Sequence, residues 1–225
     1  MGARAGAREA GYLPAMGYVL YGANGSGSSI VETTLAEIGT AFEVRLVDAR
    51  HGEHRQAAYA AINPQRKLPT LLTPAGETLT ESAAIVVTLA ERHPSAQLLP
   101  APGSPERAVA LRWLMFVATE LYPVVEIIDH PERFAPDEAS RPGVRELALA
   151  KWRERWQVVE GELGEGPYLL GDTFCVTDIY LAALSRWDLD PQWRCEHLPK
   201  LQRLAETVAA RPRIAPIWPR HFPNG

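Results

Sequence analysis

The sequence reads as two units of different class: an α/β unit over residues 17–94, in the order βαβαββα, and an all-helical bundle over residues 105–220. Three observations predict this. Short β-branched and apolar runs alternate with helical stretches through the first ninety residues. A proline-dense linker, residues 95–104, follows and ends at Pro105. Beyond it the apolar residues recur with helical period throughout. At 225 residues and 46% hydrophobic content, the chain can bury one good core or two small ones.

The elements follow in order. Residues 1–16 are rich in Gly, Ala and Arg without a signal-peptide core, and are expected to be a disordered extension. Tyr18 to Tyr21 is a strand, and Gly22 to Ser29 a turn into a helix carrying Val31, Leu35 and Ile38. Phe42 to Leu46 alternates as a second, half-buried strand, and the polar interval to Asn63 holds a short irregular helix. Thr70 to Leu72 and Thr78 to Thr80 flank Pro74-Ala-Gly-Glu77, an antiparallel hairpin. Ser82 to Arg92 closes the unit with Ile85, Val86 and Leu89 on one side, and His93-Pro94 ends it.

In the second unit Val109, Trp113, Phe116 and Glu120 are expected to share one face of a helix that Pro123 interrupts or kinks. Val144, Ala148, Trp152, Trp156, Val159 and Leu163 make a long stripe. Asp172 to Trp187 and the helix of Leu201, Leu204 and Val208 complete the bundle.

Composition excludes several function classes. A net charge of -4 argues against a nucleic-acid footprint. No run of about 18 apolar residues predicts a membrane span. The two cysteines, Cys175 and Cys195, form no metal or redox pair and fit a reducing cytoplasm. His51 and His54 have metal-like spacing but no companion ligands, so no metal is expected. The glycine-rich turn lacks the Gly-Lys-Ser/Thr ending of a phosphate loop.

The stretch Asn63-Pro-Gln-Arg-Lys-Leu-Pro-Thr-Leu-Leu72, with Thr80-Glu-Ser-Ala-Ala-Ile85 after it, carries the functional signal. Pro69 opens a strand to whose ladder it cannot donate, and Leu68 is held extended before it. Glu81 and Ser82 stand at a helix start, where an acid and a hydroxyl also serve as ordinary capping residues. A leucine-proline pair opening a strand, then a Glu-Ser pair opening a helix, resembles the glutathione-binding half of cytosolic glutathione S-transferases. The resemblance covers residues 18 to 218. It extends to Gly171-Asp-Thr-Phe-Cys-Val-Thr-Asp178, similar to the buried capping segment of that family, with Cys175 where a Ser or Thr is usual. A thiol caps poorly, so Thr177 or Asp178 is expected to compensate for part of the ~1 kcal/mol of a good cap.

The resemblance implies a thioredoxin-like first domain with a cis bond before Pro69, glutathione as co-substrate and a homodimer. Lys67, Leu68, Pro69, Glu81 and Ser82 would bind glutathione: Lys67 its carboxylate, Leu68 its cysteinyl backbone, the Glu-Ser pair its γ-glutamyl end. The activating hydroxyl would lie in the Gly22–Ser29 turn, with Ser26 first and Ser28 second by the spacing to Gly39. Serines there also make turns and caps. Tyr21 and Tyr122 would line the pocket of a small hydrophobic electrophile. The expected activity is a glutathione transferase. Its rivals are a zeta-like isomerase, against which Ser26-Gly-Ser28 replaces a Ser-Ser-Cys run, and a non-catalytic binding module.

Overall fold

The computed structural model describes residues 17–187 and 190–223; the extension expected at residues 1–16 lies outside them. The first unit runs β1 (Tyr18–Gly22), α1 (Ser28–Ile38), β2 (Phe42–Leu46), a 3₁₀ turn (Glu53–Arg55), α2 (Ala57–Ala60), β3 (Thr70–Leu72), β4 (Thr78–Leu79) and α3 (Ser82–Arg92). The strands form one sheet in the order β2-β1-β3-β4, with β1 parallel to β2 and the other pairs antiparallel. A thioredoxin-like layer results. Leu20, Leu71, Ile30, Val31, Leu35, Ile85 and Leu89 are fully buried between the sheet and α1 and α3.

Strand β2 lies at the sheet edge, and this limits what its alternation achieves. Phe42 and Val44 are half-buried as the pattern predicts, but Leu46, the last residue of β2, is 64% exposed although still paired with Gly22.

The second unit runs α4 (Pro105–Phe116), a π-helical turn (Val117–Leu121), α5 (Tyr122–Asp129), α6 (Arg141–Glu162), α7 (Val176–Ser185), α8 (Pro191–His197), α9 (Pro199–Ala209) and α10 (Trp218–His221). Ser104 caps α4 by accepting the Arg107 N–H at 3.1 Å. One expectation for α4 is corrected. Its buried face is Ala110, Trp113, Leu114, Val117 and Leu121, whereas Val109 is 38% exposed. Apolar residues surround this helix, so periodicity alone could not choose the face; contact with α7 does, where Thr177 Oγ1 donates to the Ala110 carbonyl at 2.9 Å. The interruption expected at Pro123 takes the form of the π-helical turn just before it. The Tyr122 N–H bonds the Val117 carbonyl, one residue farther than in an α-helix, and this wider turn accommodates the proline's missing donor.

The joined stretch Pro105–Asp129 is apolar and long enough to cross a bilayer by length and mean hydropathy. Here Trp113, Leu114, Val117, Leu121, Val124 and Ile128 instead face the protein core. Helix α6 contributes Ala148, Trp152, Trp156 and Val159 to it, as their spacing predicts.

Every residue of α7 is buried, and its N-terminus is held by Asp178. One carboxylate oxygen accepts the Leu169 N–H and the other the Cys175 N–H, each at 2.8 Å. The Cys175 side chain accepts the Asp178 N–H in return, so the two form a reciprocal capping box with a thiol in place of the usual hydroxyl. Burial pushes that thiol's pKa far above its ordinary value, so it remains protonated. The adjoining Val176 N–H donates to the Leu98 carbonyl at 2.8 Å and ties α7 to the linker.

Asp178→Ala orphans two buried backbone donors and should cost about 2–5 kcal/mol of unfolding free energy in urea titration. Asp178→Asn retains one acceptor and should cost less.

Candidate functional site

The loop from β1 to α1 is built around one peptide. The Ala23 carbonyl accepts from the Ser26 N–H (3.2 Å), the Ser26 hydroxyl (2.8 Å) and the Ser28 hydroxyl (2.9 Å). The Ala23 N–H returns a bond to Ser28 Oγ at 3.0 Å. A carbonyl has two lone pairs, so three donors leave one in surplus. Ser28 is 2% exposed and both accepts from and donates to Ala23. Ser26 is half-buried, and its hydroxyl can turn outward without orphaning Ala23. The two oxygens lie 2.9 Å apart.

Gly27 is the N-cap of α1, with no side-chain cap and no acid in the first turn. The first N–H groups of the helix turn onto Ser26: Ser28 donates to Ser26 Oγ at 3.3 Å and Ser29 to the Ser26 carbonyl at 2.9 Å, so the positive end of the helix lies against Ser26. A Cβ on Gly27 would collide with the Tyr122 hydroxyl and lie 3.5 Å from Pro69 Cδ. Loop, proline and the aromatic residue opening α5 therefore meet at one point.

The approach to Pro69 is fixed by its own neighbourhood. The Lys67 carbonyl accepts from Tyr59 Oη at 3.0 Å and Asn63 Nδ2 at 2.9 Å, and both side chains also reach Thr70 Oγ1. The Leu68–Pro69 peptide is cis. Among the described residues, nothing pairs with the Leu68 backbone N–H or C=O. The ladder to β1 begins only at Thr70, leaving Leu68 free to pair with an extended peptide. Lys67 itself reaches across to Glu126 of α5 at 3.5 Å.

Glu81 and Ser82 open α3, but neither caps it. The Glu81 side chain is exposed and accepts from Gln65 Nε2 at 3.2 Å. Its backbone has φ 62, an uncommon conformation for a non-glycine residue. Ser82 is 7% exposed, and its hydroxyl pairs with Tyr180 Oη of α7 at 2.8 Å. The side chains are thus held for something other than helix capping. Arg66, nearby, also has positive φ, 55. Two of the three such non-glycine residues described flank this site, where backbone strain of about 1–3 kcal/mol concentrates in binding regions.

Tyr122 lies under the loop with its ring edge-on to Trp187 (centroids 5.1 Å) and tilted to Tyr180 (6.4 Å). Burial pushes its phenol up to about 12, so at neutral pH it is a hydrogen-bond donor. Tyr21 does not join it, contrary to expectation. Alternation along β1 sends Tyr21 to the sheet face opposite Leu20. There it accepts from Arg45 at 3.0 Å and packs edge-on to Tyr59.

Sequence reasoning missed Tyr180 and Trp187 as site walls, since both read as core of a helical stripe. Beside Lys67 a cleft of about 1260 Å³ opens between the two units, lined by Arg50, Arg55, Arg66 and Arg133 among others. Among the described residues, no group of three metal-ligating side chains assembles, and His51 instead bonds Asp48 at 2.6 Å.

Two family models match: glutathione S-transferase, N-terminal domain, over residues 28–92, and glutathione S-transferase, C-terminal domain, over residues 118–212. The chain is 31% identical over 182 residues to glutathione S-transferase GstA of Escherichia coli O157:H7, covering 80% of this chain and 87% of that protein. It is 29% identical over 207 residues to the uncharacterized GST-like protein YncG of Escherichia coli K12, covering 90% and 97%. A crystal structure of a glutathione transferase homolog from Sulfitobacter, with bound glutathione, superposes with TM-score 0.83 at 24% identity, covering 92% of this chain and 100% of that one. At that identity the match speaks for the fold.

Gly27→Ala should destabilise the protein by about 1–3 kcal/mol through overpacking against Tyr122. The penalty should shrink in a Tyr122→Phe background, as a double-mutant cycle in denaturant would read.

Proposed function

Since the chain belongs to the glutathione S-transferase family, we propose that it binds glutathione and activates its thiol, through Ser26, for attack on a hydrophobic electrophile. The observation that carries this reading is the convergence at Gly27 of the α1 N-terminus, Pro69 and the Tyr122 hydroxyl, beside a serine with a spare proton. Glutathione would pair its cysteinyl backbone with Leu68. Its γ-glutamyl ammonium would meet the Glu81 carboxylate, and the γ-glutamyl carboxylate the Ser82 hydroxyl that Tyr180 orients. Lys67, now facing Glu126, would turn to the glycyl carboxylate.

Magnitudes favour a hydroxyl acting with the helix. A thiol of pKa about 8.5 must fall by one to two units to be mostly thiolate at neutral pH, about 1.4–2.7 kcal/mol. The helix N-terminus supplies about 0.3–1 kcal/mol. A hydrogen bond to a charged sulfur adds about 1.5–3 kcal/mol. Together they suffice; the helix alone does not.

In the reaction the thiol proton leaves to solvent and Ser26 donates to the sulfur anion. The sulfur lone pair forms the new S–C bond while the leaving group departs with its bonding electrons. Tyr122 and Trp187 supply the apolar wall for the electrophile. An isomerase that returns glutathione is less well supported, because Gly27 stands between the serines. We place the protein in the cytoplasm as a homodimer, which sedimentation equilibrium tests.

Ultraviolet titration of bound glutathione should give a thiolate band near neutral pH. In Ser26→Ala the thiol pKa should rise by about 1–2 units. Ser28→Ala should shift it far less but cost about 1–3 kcal/mol of stability, since it removes the partner of the part-buried Ala23 N–H. A large pKa shift in Ser28→Ala with none in Ser26→Ala would reverse the assignment, and no band in the wild type would mean a non-catalytic binding protein.

A further inference from the structure

The C-terminal helix reaches back to the serine loop through a buried pair that the proposed chemistry does not use. His221, at the end of α10, is 6% exposed, and Glu32, in α1, is 3% exposed. His221 Nε2 lies 3.0 Å from one Glu32 oxygen, and Arg220 binds the other. On the far side of the ring, Nδ1 lies 3.3 Å from the Gly25 nitrogen. A backbone N–H only donates, so Nδ1 carries the lone pair and the ring proton is on Nε2, directed at Glu32. A buried carboxylate is tolerated only when paired, and these two partners pair it. Glu32 thereby fixes the orientation of the imidazole, much as an outer carboxylate orients a working histidine.

Gly25 is pinned on a second side. Its φ is +69, and a Cβ there would meet the His221 carbonyl oxygen at 3.2 Å. The peptide that follows it carries Ser26. Trp218 and Phe222, both buried, seat α10 against the core, so the clamp is anchored independently of the loop.

We propose that His221 is a positioning residue: by accepting the Gly25 N–H it holds the Asn24–Gly25 peptide, and with it the turn that carries Ser26, so that the Ser26 hydroxyl points at the bound sulfur. This rests on the reading of Ser26 as thiol activator. The clamp makes the extreme C-terminal helix part of the active site without contact with substrate.

Two conservative variants of the full chain separate this role from simple packing. In His221→Asn the amide oxygen stands where Nδ1 stood, keeping the acceptor for Gly25 while losing Glu32. In His221→Gln the amide nitrogen stands where Nε2 stood, keeping the donor to Glu32 while leaving Gly25 unpaired. Hydrogen exchange of the Gly25 amide is read in the free protein, and the thiolate titration with bound glutathione. His221→Gln should speed Gly25 exchange by about tenfold or more. It should also raise the thiol pKa by about one unit, a tenfold loss of thiolate at fixed pH, with glutathione affinity within about threefold. His221→Asn should retain both properties. If the two variants behave alike, whether both resemble the wild type or both lose thiolate equally, the proposal is overturned. A wild type without a thiolate band would sink the Ser26 reading instead, and Gly25 exchange would still decide whether the clamp exists.

Discussion

Three hydrogen bonds onto the Ala23 carbonyl are the constraint on which the site depends. They curl the chain between β1 and α1 so that the N-terminus of α1 points at Ser26. They also divide two neighbouring serines by role. Ser28 is buried and committed to Ala23 in both directions, so it holds the loop. Ser26 duplicates a bond that the carbonyl can spare, so its hydroxyl is available to a ligand. A net hydrogen bond is worth about 0.5–1.5 kcal/mol, and giving up a redundant one costs less. The chemistry is assigned to the serine whose release is cheap.

The helical unit completes what the thioredoxin-like unit begins. Tyr180 from α7 holds the Ser82 hydroxyl, Tyr122 at the head of α5 packs under Gly27, and Glu126 meets Lys67. These contacts need α5 and α7 in fixed places. Asp178 secures α7 at its N-terminus, and the π-helical turn before Pro123 lets one long helix carry both a core face and Tyr122. Packing deep in the second unit is thus transmitted to side chains that face the first.

Punctuation made much of this legible in the sequence. Pro69 before a β-branched run, Glu81-Ser82 at a helix start and the proline-dense linker each restrict the backbone locally, so their positions follow from residue type. Asp178 was foreseeable as the partner of Cys175 because the two are three residues apart, the spacing of a capping box. The buried face of α4 was not legible: apolar residues on several sides make the choice depend on α7. Tyr21 was misplaced because sequence proximity to the turn outweighed strand alternation. The His221–Glu32 pair joins residues 189 apart, and no local pattern announces it.

A crystal structure of the glutathione complex tests the central claim most directly. The sulfur should lie within about 3.5 Å of Ser26 Oγ, near the usual limit of a hydrogen bond to sulfur. The cysteinyl backbone should pair with Leu68, with the Ser28–Ala23 bonds intact. A sulfur bonded to Ser28 or Tyr21, with Ser26 still turned to Ala23, would contradict it.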